Sequence, residues 1–194
     1  MNTFLPKNYE KPASGGGYMK LEDGDNIFRV LSDAITGFEY WTIDNKPVRS
    51  VGVPSETPNI KCDKDGNPQR IKHFWAFTVW NYKTKNVEIL ELTQSSIQTS
   101  ILNLSSDEDW GDPKGYDLKV TRKGQGLDTE YAVSPKPRKD IAPEVKEAKE
   151  KKFINLKALY WGGNPFDENE KAPNPTINGV EYPMDDLKAE DITF

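Results

Sequence analysis

The chain has 194 residues and a net charge of −5, and its acidity is concentrated in residues 167–194, where eight acidic and two basic residues give −6. The preceding residues hold 24 basic and 23 acidic groups, and this net charge of +1 is compatible with a basic groove. The 11% of aromatic residues is too high for a disordered chain, and no apolar run approaches the roughly 20 residues that a membrane helix needs. Cys62 is the single cysteine, which excludes an intrachain disulfide. Together these features predict a cytoplasmic protein.

The first predicted strand follows an N-terminal arm of residues 1–24. Residues 26–32 are rich in β-formers, and the strand is predicted to continue to Trp41 past a bend at Gly37. A loop over residues 42–72 then contains several prolines and a glycine. Loops beyond roughly 15 residues are usually functional or disordered, so this loop is a candidate for function.

A hairpin and a helix are predicted next. Residues 72–80 form the strongest strand pattern in the chain, and residues 87–92 run back beside it. The apolar residues of segment 97–104 are spaced by four and three, which is typical of one helical face. Thr93 is the predicted N-cap of this helix, and residues 105–107 are its predicted end.

The last predicted elements are two strands and a second helix. Residues 116–122 alternate in polarity, and residues 129–133 return after a glycine-containing hairpin loop. Residues 140–160 are predicted to be helical, with Pro143 near the start, where proline is favoured. The remainder of the chain is predicted to be an acidic tail.

This order of elements predicts a mainly β fold. A five-stranded oligonucleotide-binding (OB) barrel has a helix between its third and fourth strands, and its ligand face lies on strands two and three beside the first–second and fourth–fifth loops. An unclosed five-stranded sheet fits the same order. The predicted OB barrel is followed by a C-terminal helical segment and an acidic tail. The predicted boundaries are an arm at 1–24, the OB domain at 25–134, a helical extension at 135–166 and a flexible acidic tail at 167–194.

The central strand supplies the candidates for base stacking. Trp75, Phe77 and Val79 share one face, which is predicted to be core, so that Phe74 and Trp80 are predicted to lie on the ligand face. Stacking on aromatic rings contributes roughly 1–3 kcal/mol per base and does not depend on sequence. In the alternative interpretation, the helix or the C-terminal segments cover this second face.

Further candidates for DNA contact lie around the predicted ligand face. Tyr40, Trp41 and Tyr82 are aromatic residues at a strand end or a turn, where rim and core roles compete with stacking. A basic track for phosphates is predicted from the cations on the first strand and at the two flanking loops. These cations are Arg29, Arg49, Arg70, Lys72, Arg122 and Lys123.

Metal and catalytic chemistry have little support in the sequence. His73 and Cys62 are the only residues of their types and lack the paired spacing of a zinc site. The consecutive acids Asp107, Glu108 and Asp109 are typical of a solvated turn. We therefore expect no enzymatic activity, no metal and no cofactor.

The acidic end of the chain is the most specific motif. An acidic peptide with an apolar tip can insert its aromatic ring into a partner pocket while its carboxylates meet basic residues. In the alternative interpretation, the tail only increases solubility. The candidate partner-binding residues are Asp185, Asp186, Glu190, Asp191, Ile192 and Phe194.

These residues carry a resemblance to single-stranded DNA-binding proteins. Residues 191–194 resemble the acidic tip of the bacterial proteins, with Thr193 in place of the usual proline, and the body resembles a family of bacteriophage single-stranded DNA-binding proteins. The similar stretches are residues 28–31, 37–41, 74–82 and 116–131. The resemblance implies an OB fold, a role in phage DNA replication or recombination and repair in the host cytoplasm, and host replication or recombination proteins as partners.

The sequence thus predicts sequence-independent binding of single-stranded DNA by stacking and a basic groove. The tail is predicted to recruit partners and to compete with DNA. The alternative is an OB-fold adaptor that binds proteins and no nucleic acid.

Overall fold

Runs of β-branched and aromatic residues form the strands of the computed structural model, which describes residues 16–173, 176–177 and 180–181. The fold is mainly β, with a few short helices. Its described residues form two units, residues 16–36 with 72–153 and residues 37–71 with the described part of 154–181. The predicted tail tip at 184–194 and the first 15 residues of the predicted arm lie outside the described residues.

The regular elements follow one another in this order along the described chain. The strands are β1 (Tyr18–Met19), β2 (Gly24–Val30), β3 (Ile35–Trp41), β4 (Pro47–Ser50), β5 (Lys72–Asn81), β6 (Asn86–Leu92), β7 (Asp117–Lys123), β8 (Glu130–Pro135), β9 (Thr176–Ile177) and β10 (Val180–Glu181). The helices are α1 (Ser95–Ser106) and α2 (Pro143–Lys151), with 3₁₀-helices at Pro113–Gly115, Gly126–Asp128 and Leu156–Trp161.

Strand β2 lies at the centre of the sheet in the first unit. The strands hydrogen-bond in the order β1-β6-β5-β2-β7-β8, and every neighbouring pair is antiparallel except β1 with β6. The hairpins β5–β6 and β7–β8 and the helix between them confirm the predicted order of these elements. Helix α1 begins one residue later than predicted, because Gln94 rather than Thr93 is its N-cap.

The sheet is open and mixed, so the closed barrel expected from the sequence is not what the structure contains. Closing the sheet would require its outer strands β6 and β8 to pair with each other. Instead, β1 lies in parallel along the outer edge of β6, with Tyr18 opposite Ile89 and Met19 opposite Leu90. Gly17 O also accepts a hydrogen bond from Ile89 N at 2.8 Å. The edge of β6 is therefore already occupied.

One face of the sheet packs against α1 and forms the main core. Phe77 and Val79 of β5 are buried there, as predicted, and Trp75 packs at the margin. Ile97 and Ile101 of α1 complete the core, which confirms the predicted apolar face of that helix.

The opposite face of β5 is buried as well. Trp80 lies opposite Val87 of β6 and is 6% exposed, and Phe74 on the same face is fully buried. Helix α2 packs against β6, and its Val145 is buried. Lys152 Nζ donates to Val87 O, and burial lowers the pKa of this lysine. The C-terminal segment therefore covers the β6 side of this face.

The predicted first strand is divided into β2 and β3. Residues 31–34 separate them, because Thr78 N donates to the side-chain oxygen of Ser32 at 3.0 Å instead of continuing a backbone ladder. Gly37 lies inside β3 rather than at the break.

The predicted loop at 42–72 is ordered by its own hydrogen bonds. It contains β4, which pairs with β3, and isolated bridges join Thr42 to Ile60 and Cys62 to Pro68. Asp63 Oδ1 accepts hydrogen bonds from the amides of Asp65 and Asn67, and these bonds lower the pKa of Asp63.

The predicted helix at 140–160 is shorter in the structure. Helix α2 ends at Lys151, and the chain resumes as a 3₁₀-helix at Leu156. Asn155 N donates to Pro165 O at 2.8 Å. In a continuous helix this amide would donate to the carbonyl four residues earlier, so the bond to Pro165 marks the interruption.

The burial of Trp80 predicts a large loss of stability on truncation. Trp80→Ala should lower the free energy of unfolding by about 3–5 kcal/mol, because it removes a buried aromatic side chain. Trp80→Phe, which keeps a ring in the core, should lose clearly less. Urea denaturation followed by circular dichroism measures both. An alanine variant with wild-type stability and weakened oligo-dT binding would instead place Trp80 on an open ligand face.

Candidate nucleic-acid interface

Arg29 forms a buried ion pair rather than part of an open basic track. It lies opposite Asp117 in the β2–β7 register, and its side chain is 2% exposed. Arg29 Nε donates to Asp117 Oδ1 at 2.7 Å, and Nη1 donates to Lys139 O at 3.1 Å. The guanidinium therefore ties strand β7 and the segment after β8 to the central strand.

Asp117 binds two further side chains, and both belong to the same network. Tyr82 Oη donates to Asp117 Oδ1 at 2.9 Å, and Lys139 Nζ lies 2.7 Å from Asp117 Oδ2. Lys139 Nζ also lies 4.9 Å from the centroid of the Tyr82 ring, within the range of a cation–π contact. The structure thus brings together the predicted residues Arg29 and Tyr82.

Two members of the network have raised pKa values. The hydrogen bond to Asp117 raises the pKa of Lys139. The pKa of Tyr82 is raised mainly by burial and also by the hydrogen bond to the same carboxylate. Because the folded pKa of Lys139 lies above its ordinary value of 10.5, its stabilising contribution is present below that value and is lost as the pH rises through the folded pKa.

The β3–β4 hairpin of the second unit presents one predicted aromatic residue to solvent. Tyr40 is buried, whereas the adjacent Trp41 is 38% exposed. Trp41 lies opposite Pro47. Its carbonyl accepts a hydrogen bond from Lys61 N at 2.7 Å, which fixes the backbone beside the indole. The predicted cation Arg49 is mostly buried and lies 3.3 Å from Glu39, its cross-strand neighbour.

Aliphatic side chains around the hairpin are also unusually exposed. Val48 of β4 and Ile43 in the turn are exposed, and Val51 and Val53 follow just after β4, with Val51 71% exposed. Apolar side chains gathered on one exposed segment are typical of an interaction surface.

The predicted stacking residues of β5 are closed to bases in this structure. Phe74 and Trp80 are both buried, as the alternative interpretation of the second face anticipated. A base could reach either ring only after the elements covering this face had moved.

The remaining predicted cations differ in accessibility. Arg70, Lys72 and Lys123 are exposed. Arg122 is half-buried, and its Nη1 donates to Leu21 O at 3.1 Å, so it supports the arm rather than an open groove. The six predicted tail residues, Asp185, Asp186, Glu190, Asp191, Ile192 and Phe194, lie outside the described residues.

Three charged residues of these networks were not predicted from the sequence. Asp117 and Glu39 pair with the predicted residues Arg29 and Arg49, and Lys139 pairs with Asp117. A recognisable pattern exists only for Lys139, because residues 136–139 contain three cations within four positions. Asp117 and Glu39 each occur once in a strand pattern, where nothing distinguishes a buried acid from a solvated one.

The described part of the chain has neither a metal-type cluster nor a helix suited to a membrane. Across those residues, no three His, Cys, Asp or Glu side chains gather into a group that could hold a metal ion. No helix formed by them is long and apolar enough to cross a bilayer. His73 and Cys62 are both exposed.

No protein-family profile, curated protein sequence or solved structure matches this chain. Functional inference therefore depends on its own residues and their geometry.

The buried ion pair predicts that removing the charge of Asp117 strongly lowers the stability of the fold. Asp117→Asn should destabilise the fold by about 3–5 kcal/mol, because it leaves the buried charge of Arg29 without a counter-ion. Asp25→Asn is the matched control, since Asp25 forms an exposed pair with Lys119 and should change stability little. Equal urea midpoints for the two variants would contradict a structural role for the buried pair.

Proposed function

We propose that this protein binds single-stranded DNA without sequence preference and protects it during phage DNA replication, recombination or repair. In this proposal, bases stack on exposed aromatic rings, and cations hold the phosphates. The acidic tail recruits replication or recombination proteins and competes with DNA.

The strand pairing of the first unit supports an OB-type fold. Strand β2 pairs with both β5 and β7, each of these two begins a hairpin, and α1 connects the hairpins. OB barrels are five-stranded and partly open, so the open sheet is compatible with one. In this assignment β2, β5, β6, β7 and β8 are the five barrel strands, and β1 is an addition at the edge.

The exposed indole of Trp41 is the observation that carries the proposal. It is the predicted stacking residue with the most open ring, and it lies where β3 enters the segment that joins the first and second barrel strands. This segment flanks the ligand face in OB proteins. Among the predicted cations, Arg70, Lys72 and Lys123 are exposed and available for phosphates.

The aliphatic residues around the hairpin favour the adaptor as a second candidate. Ile43, Val51 and Val53 suit a protein partner better than a phosphate backbone. Salt separates the two functions, because the affinity of a single strand falls with salt at a log–log slope of about −0.7 per phosphate contact. An apolar protein interface has a much weaker dependence on salt.

A stacking role for Trp41 predicts a loss of affinity without unfolding. Trp41→Ala should weaken oligo-dT binding by about 1–3 kcal/mol at both low and high salt, because stacking does not depend on screening. Trp41→Phe retains an aromatic face and should recover most of the affinity. Fluorescence anisotropy at two salt concentrations, with circular dichroism as the folding control, measures this. Wild-type affinity in the alanine variant would remove Trp41 from the interface.

Competition by the tail predicts tighter DNA binding after truncation. Deleting residues 184–194 removes four acids and one lysine, a charge change of +3. A tethered polyanion has a high local concentration near a basic surface, so its loss should raise oligo-dT affinity most at low salt, where screening is weakest.

The substitution Phe194→Ala separates the two roles of the tail. It keeps every charge, so it should leave DNA affinity unchanged and weaken capture of replication proteins. Equal oligo-dT affinity of full-length and truncated protein at low salt would exclude competition by the tail.

A further inference from the structure

A basic pocket lies at the end of the β7–β8 ladder that is remote from the hairpin loop. Leu118 pairs with Pro135 at this end, whereas Lys123 pairs with Glu130 beside the loop. The pocket has a volume of about 500 Å³, within the range of roughly 300–1,000 Å³ that is typical of small-molecule sites. Its charged lining residues are Arg29, Lys114, Arg138, Lys139 and Asp140.

Arg29, one of the lining residues, has one donor without a partner. Its Nε and Nη1 have partners, but Nη2 is buried and has no hydrogen-bond partner among the described residues. A buried donor without an acceptor costs about 1–3 kcal/mol, and more when it belongs to a charged group. A bound anion would supply the missing acceptor.

Lys139 and Arg138 are incompletely neutralised, whereas Lys114 is not. Lys139 shares the single carboxylate of Asp117 with Arg29, which leaves one positive charge in excess. In the described structure, Arg138 donates to the main-chain carbonyls of Trp110 and Asp109 and has no carboxylate partner. Lys114 is paired with the exposed acids Asp33 and Asp112.

The Arg138 guanidinium lies close to Gly115, and both residues line the pocket. A Cβ atom at this position would lie 2.9 Å from Arg138 Nη1, closer than side chains normally approach. Two guanidinium groups, on Arg29 and Arg138, therefore line one pocket, and planar guanidinium forks suit the tetrahedral oxygens of phosphate.

We propose that this pocket holds a backbone phosphate of bound single-stranded DNA. The inference rests on the proposed function and extends it, because the pocket lies away from the hairpin loop that flanks the ligand face of OB folds. The described residues that line it are charged, aliphatic or glycine, so it suits a phosphate and sugar rather than a stacked base. The bound strand would then reach the end of β7 where Leu118 pairs with Pro135.

Inorganic phosphate tests the pocket without DNA. In the full-length ¹⁵N-labelled protein, sodium phosphate at constant ionic strength should shift the amide resonances of Gly115 and residues 138–141 saturably, relative to sodium chloride. Arg138→Gln should abolish these shifts. Arg138 is exposed and its partners are carbonyls, so this variant should remain folded.

Oligo-dT tests whether the phosphate belongs to DNA. Arg138→Gln should lower affinity about tenfold at low salt and reduce the salt slope by about 0.7, the loss of one phosphate contact. Lys146→Gln, an exposed position of α2 with the same charge change, is the matched control and should alter both values much less.

Two results would overturn the assignment, and each has a distinct meaning. Equal oligo-dT binding by Arg138→Gln and Lys146→Gln would exclude the pocket and leave the proposed function intact. Phosphate binding in the pocket of a wild-type protein that does not bind oligo-dT would exclude DNA as its source and contradict the proposed function.

Discussion

The buried pair of Arg29 and Asp117 fixes how the first unit is assembled. Strand β2 hydrogen-bonds to β5 on one side and β7 on the other, and the pair spans its junction with β7. Burying two charges costs several kcal/mol per ion unless hydrogen bonds compensate, and Asp117 also accepts bonds from Tyr82 and Lys139. Its main-chain carbonyl accepts a further bond from Lys136 N at 2.9 Å. The turn after β5 and the segment after β8 are therefore both held by one carboxylate.

The two buried faces of β5 change where a ligand can bind. An outward-facing aromatic strand would give a flat stacking platform, but Phe74 and Trp80 contribute to packing instead. The open ring of Trp41 and the cations outside the core remain available. Binding through such a surface depends more on charge than on stacked aromatic area, and it is correspondingly sensitive to salt.

Strand order was predictable because it depends on local patterns. Segment 72–80 and the turn after it specify a hairpin, and the spacing of apolar residues in 97–104 specifies a helical face. Which face of β5 is exposed and whether the sheet closes were not predictable, because both depend on residues that are distant in the sequence. The apolar second face of β5 is equally consistent with a binding surface and with a buried one, and the short β1 has too few residues to show a pattern. Paired charges such as Arg29 with Asp117 are 88 residues apart, so neither one alone indicates that it is buried.

The short strand β1 has a consequence for assembly. An unpaired strand edge exposes a row of backbone donors and acceptors that a second chain can extend, which leads to swapped dimers or aggregates. Tyr18 and Met19 occupy that row on β6, and Met19 is buried against the core, so the arm seals this side of the sheet with only two paired residues. The described part of the N-terminal arm thus covers two positions of the β6 edge, and cleavage between residues 19 and 24 would leave these positions able to pair with another copy.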